Sequence, residues 1–344
     1  MLSRTTRATL ISLPLLLALT MSACGGATDP EAGSTGPDGG SAAPTPTASD
    51  GSFPVTVDNC GIDVTLTERP ERIVMVNSDS LSNLEALGAV DRIVGITTPP
   101  QEGLYDSQTY TLLAELPQLS TEQNATGGSV VSHESIVGQE PDLVIAPENS
   151  VDRAALADAG IALYSPTAFC ADPPVEYTET ATFDRVWQEV TAFGQMLGET
   201  EAAEAAIAEA KSTLEAAAQD RGSAVALYVS SGGTVLSPYG GPSMVTPVFA
   251  AAGLSNVFAD ASDRVFDAGI EAIIAEAPET IVLLSSAPDP DDTYTEFMSS
   301  PGVDGLAAVQ EGRVVVLPFP YTDPPSLLST RGPAELVELI EALQ

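Results

Sequence analysis

Short apolar runs alternate with amphipathic segments along most of the chain. Residues 53–58 and 62–66 alternate apolar and polar side chains around Asn59-Cys60-Gly61, which predicts a β-hairpin. Buried strands are predicted at 72–77, 92–96, 143–146 and 161–164. Helices are predicted at 80–87 and 151–159, each followed by a glycine. Strands that alternate with helices indicate a parallel sheet with helices on both faces.

A long helical stretch separates these elements from a second set of strands. Apolar residues at helical spacing run from Phe183 to Leu197 and stop at Gly198. Residues 199–221 are rich in Ala and Glu and contain no Pro or Gly, so they are predicted to form a helix of about 30 Å. The strands predicted after it are 224–229, 256–258, 280–284 and 313–317.

Two stretches in different halves of the chain share one sequence pattern. Residues 133–146 and 270–283 each open a short amphipathic helix with a Glu, place a Pro seven residues later and end in an apolar run. A second matching pair, 84–94 and 248–258, precedes them in the same order. Chance similarity between helix–strand units is the alternative. A helix–strand pattern that occurs twice predicts two similar lobes with a ligand site in the groove between them.

The first 52 residues have the composition of a signal and a tether. A basic start precedes an apolar run, residues 10–19, that is too short to span a bilayer. The small residues before Cys24 resemble a bacterial lipoprotein signal. We expect residues 1–23 to be removed and Cys24 to be lipidated at the outer face of the cell membrane; an ordinary secretory signal is the alternative. Residues 24–52 hold no large apolar residue, which predicts a disordered tether.

Charge and cysteine content narrow the expected partners and compartment. The formal net charge is −36, from 12 basic and 48 acidic residues, so no nucleic acid is expected to bind. After Cys24, only Cys60 and Cys170 remain. Two remaining thiols in an exported protein favour one disulfide, and two free buried thiols are the alternative. The bond would pin the first strand to the end of the first lobe.

Sequence motifs of common catalytic and metal sites are absent. The chain lacks G-x-S-x-G, H-E-x-x-H and a P-loop, and His133 is its only histidine. Neither a hydrolytic triad nor a multi-histidine zinc site is therefore expected. We expect a binding protein that has no catalytic residue, no resident cofactor and no site for a bare metal ion.

Several motifs, in this order behind a lipoprotein signal, resemble the substrate-binding proteins of ABC importers for ferric siderophores, haem and cobalamin. They are residues 70–75, 84–95, 134–145, 252–258, 271–283 and 308–318. The resemblance covers residues 53–344. It implies two Rossmann-like α/β lobes with parallel sheets, 53–180 and 222–344, joined by a single long helix within a connector at 181–221. It also implies permease and ATPase subunits as partners.

The resemblance assigns a docking role to two carboxylates. In that family, a Glu on the outer surface of each lobe meets an Arg pocket on the permease. The matching residues are Glu134 and Glu271, each seven residues before its Pro. The alternative is a pair of solvated acids in the first turn of a helix, where the helix dipole favours negative charge.

A ligand site is expected between the lobes, at the carboxyl ends of the strands. Aromatic side chains would cover a bulky, partly apolar ligand that carries negative charge, and Arg264 and Arg331 would hold its anionic group. The candidates in the first lobe are Asn77, Ser78, Asp79, Pro99, Tyr105, Glu148, Asn149 and Phe169. Those in the second are Ser230, Tyr239, Arg264, Phe266, Ser285, Phe319, Tyr321 and Arg331.

Three functions remain open at this point. The first is the binding protein of an importer for a ferric siderophore or a corrinoid. The second is the same role for a deazaflavin cofactor precursor, because residues 59–61, 165–170 and 316–321 resemble a subfamily to which that ligand is assigned. The third is a sensor or scaffold lipoprotein that kept the fold and lost transport.

Overall fold

The structure is a computed structural model of the 344-residue chain. It describes residues 52–120, 122–123 (backbone only), 128–214 and 219–343. The predicted signal, Cys24 and the predicted tether up to residue 51 lie outside the described residues. Within the described part, no helix is both long enough and apolar enough to cross a membrane.

The first half of the chain forms a small α/β lobe. Its strands are β1 (Val55–Asn59), β2 (Ile62–Leu66), β3 (Ile73–Met75), β4 (Ile93–Ile96), β5 (Glu122–Gln123), β6 (Ser129–Val130), β7 (Leu143–Ile145) and β8 (Ala162–Tyr164). Its helices are α1 (Leu81–Ala86), α2 (Ser107–Ala114), α3 (His133–Val137), α4 (Arg153–Asp158) and α5 (Val175–Thr178). Four strands form a parallel sheet in the order β4–β3–β7–β8. Every residue of β3 and β7 is buried, because apolar clusters cover both faces of this sheet.

The second half repeats this architecture. Helices α6 (Asp184–Leu197) and α7 (Thr200–Thr213) come first and form the connector, and their buried residues belong to the core of the first lobe. The helices of the second lobe are α8 (Val245–Ala252), α9 (Ile270–Glu276), α10 (Pro290–Met298), α11 (Ala307–Gln310) and α12 (Leu327–Glu341). Its strands are β9 (Ser223–Ser230), β10 (Val235–Pro238), β11 (Ser255–Asn256), β12 (Thr280–Ser285) and β13 (Val314–Pro318). The sheet order is β10–β9–β12–β13, with β11 parallel to β9, and apolar clusters again cover both faces.

The repeated plan seen in the sequence corresponds to a repeated topology. The order β4–β3–β7–β8 in the first sheet matches β11–β9–β12–β13 in the second. Helices α3 and α9 directly precede β7 and β12, and α1 and α8 precede β4 and β11. The antiparallel strand β10 is an addition to the second sheet. The prediction of two similar α/β lobes is therefore confirmed.

The connector differs from the single long helix that was expected. It contains two helices of 14 residues, α6 and α7, with Gly198 in a left-handed conformation (φ 68°) between them. They lie antiparallel and close together, since a Cβ at Gly194 would be 2.5 Å from that of Ala203. The predicted helix up to Arg221 is also wrong, because Leu214 is extended and the backbone N–H of Arg221 donates to the Gly253 carbonyl in the second lobe.

A disulfide holds the N-terminal hairpin on the first lobe. Cys60 and Cys170 are joined with an S–S distance of 2.04 Å and a sequence separation of 110. Next to the bond, the buried Asn59 side chain donates to the Ser165 carbonyl (2.7 Å) and accepts from the Ser165 N–H (2.8 Å). The hairpin β1–β2 is thereby fixed to the segment that follows β8.

Candidate ligand-binding cleft

A cavity of about 540 Å³ lies between the lobes at the carboxyl ends of both sheets. Its lining includes residues 77–79 after β3 and Phe169 after β8. Thr98, Pro99 and Gln101 line it after β4, and Pro147, Asn149 and Ser150 line it after β7. The second lobe contributes the end of β9, Ser286 after β12 and Phe319 after β13. Ligands of open α/β sheets usually bind at such strand ends, because the connections there leave a crevice.

The structure brings most of the predicted ligand residues together around this cavity. Those that line it are Asn77, Ser78, Asp79, Pro99, Asn149, Phe169, Ser230, Tyr239, Arg264, Phe266 and Phe319. Most of them directly follow a parallel strand. Tyr239, Arg264 and Phe266 reach the cavity differently: the segment around Val265 runs antiparallel to the end of β10, with bridges Tyr239–Val265 and Leu236–Ala268.

Two predicted residues in the first lobe do not line the cavity. Glu148 pairs with Arg153 (Nε to Oε1, 3.0 Å) and accepts from the Ala171 N–H (2.8 Å), so it supports the loop beside the disulfide. Tyr105 lies behind the cavity wall, where its hydroxyl donates to the Ser78 carbonyl (3.4 Å). Both side chains therefore support the wall of the cleft from outside the cavity.

Three predicted residues in the second lobe also lie outside the cavity lining. Ser285 is buried and shares a hydrogen bond with Thr293 (2.7 Å). The Tyr321 hydroxyl donates to Glu335 (3.2 Å). Arg331 is exposed on α12, with its guanidinium 5.8 Å from the centre of the Tyr321 ring. The structure therefore places only Arg264, of the two predicted anion-binding arginines, at the cavity.

Several lining residues were not predicted from the sequence. They are Thr98, Gln101, Gly128, Pro147, Ser150, Tyr228, Ser231, Val235, Ser237, Val265, Asp267, Ser286 and Pro320. Thr98, Pro147 and Ser286 follow strand ends, so the rule that identified Asn77 could have found them. Nothing in the sequence pattern indicates Asp267, whose position depends on the bridge between Leu236 and Ala268.

Arg264 forms a buried ion pair and a contact between the lobes. Its guanidinium pairs with Asp323, whose side chain is 1% exposed. Its Cζ atom also lies 5.2 Å from the ring centre of Phe169, which belongs to the first lobe. Breaking the pair would leave the buried carboxylate without a direct ion-pair partner, which is destabilising. Arg264 is therefore held in place by both lobes.

Asp79 is the titratable group at the floor of the cleft. Asn77 Nδ2 donates to its carboxylate (3.3 Å). Burial raises the pKa of Asp79 to about 7, and nearby Asp323 adds to the rise, whereas Asn77 and Arg264 oppose it. Close to neutral pH, both protonation states are populated, so this carboxyl can either donate or accept a hydrogen bond.

An aromatic wall covers the second-lobe side of the cavity. The ring centre of Phe319 lies 6.2 Å from that of Tyr228 and 6.5 Å from that of Tyr239. Burial raises the pKa of both tyrosines, so their hydroxyls stay neutral at physiological pH. This wall offers apolar contact with neutral hydrogen-bonding groups at its edge.

Gln101 joins the lobes across the cleft. Its Nε2 donates to the carbonyls of Ser285 (3.1 Å) and Ala287 (2.8 Å), both at the end of β12. Its Oε1 is buried and has no hydrogen-bond partner among the residues that the structure describes. Gln101 borders the cavity with other atoms of its side chain, because this oxygen is not accessible to a water-sized molecule in the structure.

Glu134 and Glu271 occupy equivalent places on the two lobes. Each is the second residue of its helix, α3 or α9, and each is exposed. Neither carboxylate forms a side-chain hydrogen bond or ion pair with the described parts of the chain. Both are available to a partner protein.

Three comparisons place this architecture among known proteins. The periplasmic binding protein family matches residues 73–321. A cobalamin-binding protein of Halobacterium salinarum is 28% identical over 326 residues, 90% of this chain and 78% of that protein. The substrate-binding lipoprotein YvrC of an ABC transporter of Bacillus subtilis is 27% identical over 169 residues, 47% of this chain and 46% of that protein.

A solved structure resembles nearly the whole described part. It is a crystal structure of an ABC-type Fe3+-hydroxamate transport system from Saccharomonospora viridis, 33% identical with a TM-score of 0.78. The match covers 84% of this chain and 99% of that chain. Together with two equivalent lobes around one cleft, these matches show that the chain belongs to the periplasmic binding protein family.

Proposed function

We propose that this protein is the extracytoplasmic binding protein of an ABC importer, which captures a ferric siderophore or a corrinoid and delivers it to the permease. The observation that carries the proposal is the cavity of about 540 Å³ lined by both lobes. Its size lies within the roughly 300–1,000 Å³ of small-molecule sites, and its aromatic wall suits a broad ligand.

The comparisons support a metal enclosed in an organic chelate. The Halobacterium relative is a cobalamin-binding protein and the Saccharomonospora structure belongs to an Fe3+-hydroxamate transport system. Cobalamin and a ferric hydroxamate each hold the metal within a larger organic molecule. The described residues contain no group of three or more His, Cys, Asp or Glu that could hold a metal ion directly.

Delivery would depend on Glu134 and Glu271. One carboxylate on each lobe, at equivalent positions and without a partner among the described residues, can pair with basic groups of a permease. Such charge pairs fix the register and raise the association rate. Because the two carboxylates belong to different lobes, the distance between them reports lobe separation. A lipid on Cys24 would keep the protein beside the permease.

Two other functions would use the same cleft. A deazaflavin cofactor precursor has a planar ring that could lie against Phe319 and Tyr239, which makes it the second candidate ligand. A sensor or scaffold lipoprotein could bind the same ligands but would not need Glu134 and Glu271. Substitution of both glutamates therefore separates transport from the sensor function.

The test of ligand class is a titration of the mature protein by calorimetry, with native mass spectrometry for stoichiometry. We expect ferrioxamine B, ferrichrome or cyanocobalamin to bind one molecule per chain. Phe319→Ala, inside the cavity, should weaken that binding at least tenfold, or about 1.4 kcal/mol. Arg331→Ala, outside the cavity lining, is the control and should bind like the parent. Binding that Phe319→Ala leaves unchanged would place the ligand elsewhere, and no binding would refute the proposal.

A further inference from the structure

The charged groups at the cavity are mostly acidic. Among the described residues, Asp79, Arg264 and Asp267 are the charged side chains in its lining, and no lysine or histidine joins them. Asp267 is exposed and accepts a hydrogen bond from Ser237 Oγ (3.0 Å). A ligand in this cavity therefore faces two carboxyl groups and one guanidinium.

The charge of Arg264 is already compensated. Its guanidinium pairs with Asp323, and that carboxylate is almost completely buried. If a ligand anion took Arg264 from Asp323, the buried carboxylate would lose its direct ion pair and keep only the longer-range attraction of Arg185, which is unfavourable. With Asp323 and the buried Arg185 beside it included, the local group holds three carboxyl groups for two arginines. Arg264 therefore stabilises Asp323 and contributes little net positive charge to a ligand.

In the described part of the chain, no second arginine lines the cavity. Arg331 lies exposed on α12 against the Tyr321 ring, and it does not line the cavity. The whole chain carries a formal charge of −36, which contributes a negative electrostatic potential around the cleft. In a cleft with low-dielectric walls this field raises the free energy of anions and attracts cations.

The two carboxyl groups of the cavity lining each accept one hydrogen bond within the described chain and have further acceptor capacity. Gln101 Oε1 is buried without a partner in the described structure, while the nitrogen of the same amide is held by two backbone carbonyls. The amide cannot turn its nitrogen toward a ligand without losing both bonds. Asp79 and Asp267 are therefore the side chains that favour N–H, O–H or ammonium groups on the ligand.

We infer that the cleft selects a neutral or cationic chelate with hydrogen-bond donors and excludes polyanionic ligands. This inference rests on the proposed function and reverses the expectation of an anionic ligand. A ferric trishydroxamate has no net charge at its iron centre, and cyanocobalamin is neutral with many amide donors. A ferric tricatecholate is a trianion, haem carries two propionates and the deazaflavin precursor carries a phosphodiester. The first two belong to the selected class, and the last three belong to the excluded class.

A matched ligand series tests the inference with the mature protein. Ferrioxamine B ends in an ammonium group, its N-acetyl derivative is neutral, and its N-succinyl derivative ends in a carboxylate; all three share one ferric core. Calorimetry at about pH 8.5, above the pKa of Asp79, should show affinity at least tenfold weaker for the succinyl than for the ammonium form. Cyanocobalamin, hemin and ferric enterobactin complete the panel, so that a corrinoid ligand is also detected.

Each outcome decides one question. Tightest binding of ferrioxamine B, its acetyl form or cyanocobalamin supports the inference. Tightest binding of hemin, ferric enterobactin or the succinyl form overturns it and leaves the importer function standing. No binding by any member overturns the proposed function, and the inference with it.

A double variant tests the carboxyl groups themselves. Asp79→Asn with Asp267→Asn removes two negative charges with little change in shape. The variant should reduce the ratio of the Kd for the succinyl form to the Kd for the ammonium form at least fivefold. If cyanocobalamin is the ligand, the same comparison uses its anionic monocarboxylate derivative. The control, Asp158→Asn with Asp304→Asn, removes the same charge from exposed positions outside the cavity lining. An unchanged preference in the first variant, or an equal change in the control, would contradict the local role.

Discussion

The buried carboxyl group of Glu189 should make the stability of the first lobe depend on pH. Glu189 lies in α6 with a side chain that is 1% exposed. Its Oε2 accepts from Thr167 Oγ1 (3.0 Å), and its Oε1 has no hydrogen-bond partner in the described structure. Burial raises the pKa of Glu189 from 4.5 to about 8, and the hydrogen bonds from Thr167 and Tyr164 offset only part of that rise.

The sign of the pH dependence follows from this raised pKa. Between pH 4.5 and about 8, the folded protein keeps the proton of Glu189 and the unfolded chain releases it. The free energy of unfolding should therefore fall as the pH rises through this window and level off above it. With about 1.36 kcal/mol for each pKa unit, the full loss is at most about 5 kcal/mol. Water entering near the carboxylate would reduce it.

The perturbation is Glu189→Gln, which removes the ionisation and keeps an acceptor for Thr167. A buried amide N–H without a partner costs about 1–3 kcal/mol, so the variant should be slightly less stable than the parent near pH 5. At pH 9, where the parent carries the buried charge, the variant should be more stable by about 2–4 kcal/mol. The two pH profiles should therefore cross.

The assay is urea unfolding followed by tryptophan fluorescence at several pH values from 5 to 9. Trp187 is the only tryptophan and lies two residues before Glu189 on α6, so it reports on the same lobe. Glu204→Gln, an exposed change on α7, serves as the control and should follow the parent. If the parent and Glu189→Gln lose stability in parallel between pH 5 and pH 9, the reasoning about this buried carboxyl is wrong.

Three further predictions concern docking, oxidation and anchoring. Replacing Glu134 and Glu271 together with Gln should abolish uptake in cells while the Kd stays within about threefold, or roughly 0.7 kcal/mol; normal uptake would exclude the docking role. Titration of the unfolded, unreduced mature protein should find no free thiol at Cys60 or Cys170, and two reactive thiols would contradict the bond. Cys24→Ala should release the protein from the membrane fraction, whereas an unchanged distribution would show that no lipid on this residue anchors it.

The fold was predictable because buried parallel strands appear as apolar runs in the sequence. The runs at β3, β7 and β12 are buried at every position, and the matching Glu and Pro before β7 and β12 revealed the repeat. The connector was not predictable from composition. Local propensity favours helix up to Arg221, but the contact of Arg221 with the second lobe outweighs it, and only the fold supplies that contact.

The site was predictable only where chain position determines it. Asn77, Asn149 and Phe319 directly follow parallel strands, and topology brings such residues to one edge. Arg331 lies on a helix, where the sequence does not say which neighbour its side chain meets. The sequence also did not reveal that Arg264 is paired, because its partner Asp323 lies 59 residues further along the chain.

The contact that Gln101 makes with the second lobe does not depend on which side chains the second lobe carries there. Both acceptors are backbone carbonyls, of Ser285 and Ala287, so substitutions of these side chains leave the acceptors in place. The second lobe can therefore change the groups around a ligand and keep the contact that joins the lobes. In evolutionary terms, ligand preference can diverge by point substitution while the contact between the lobes is inherited unchanged, and one fold can supply binding sites for chemically different ligands.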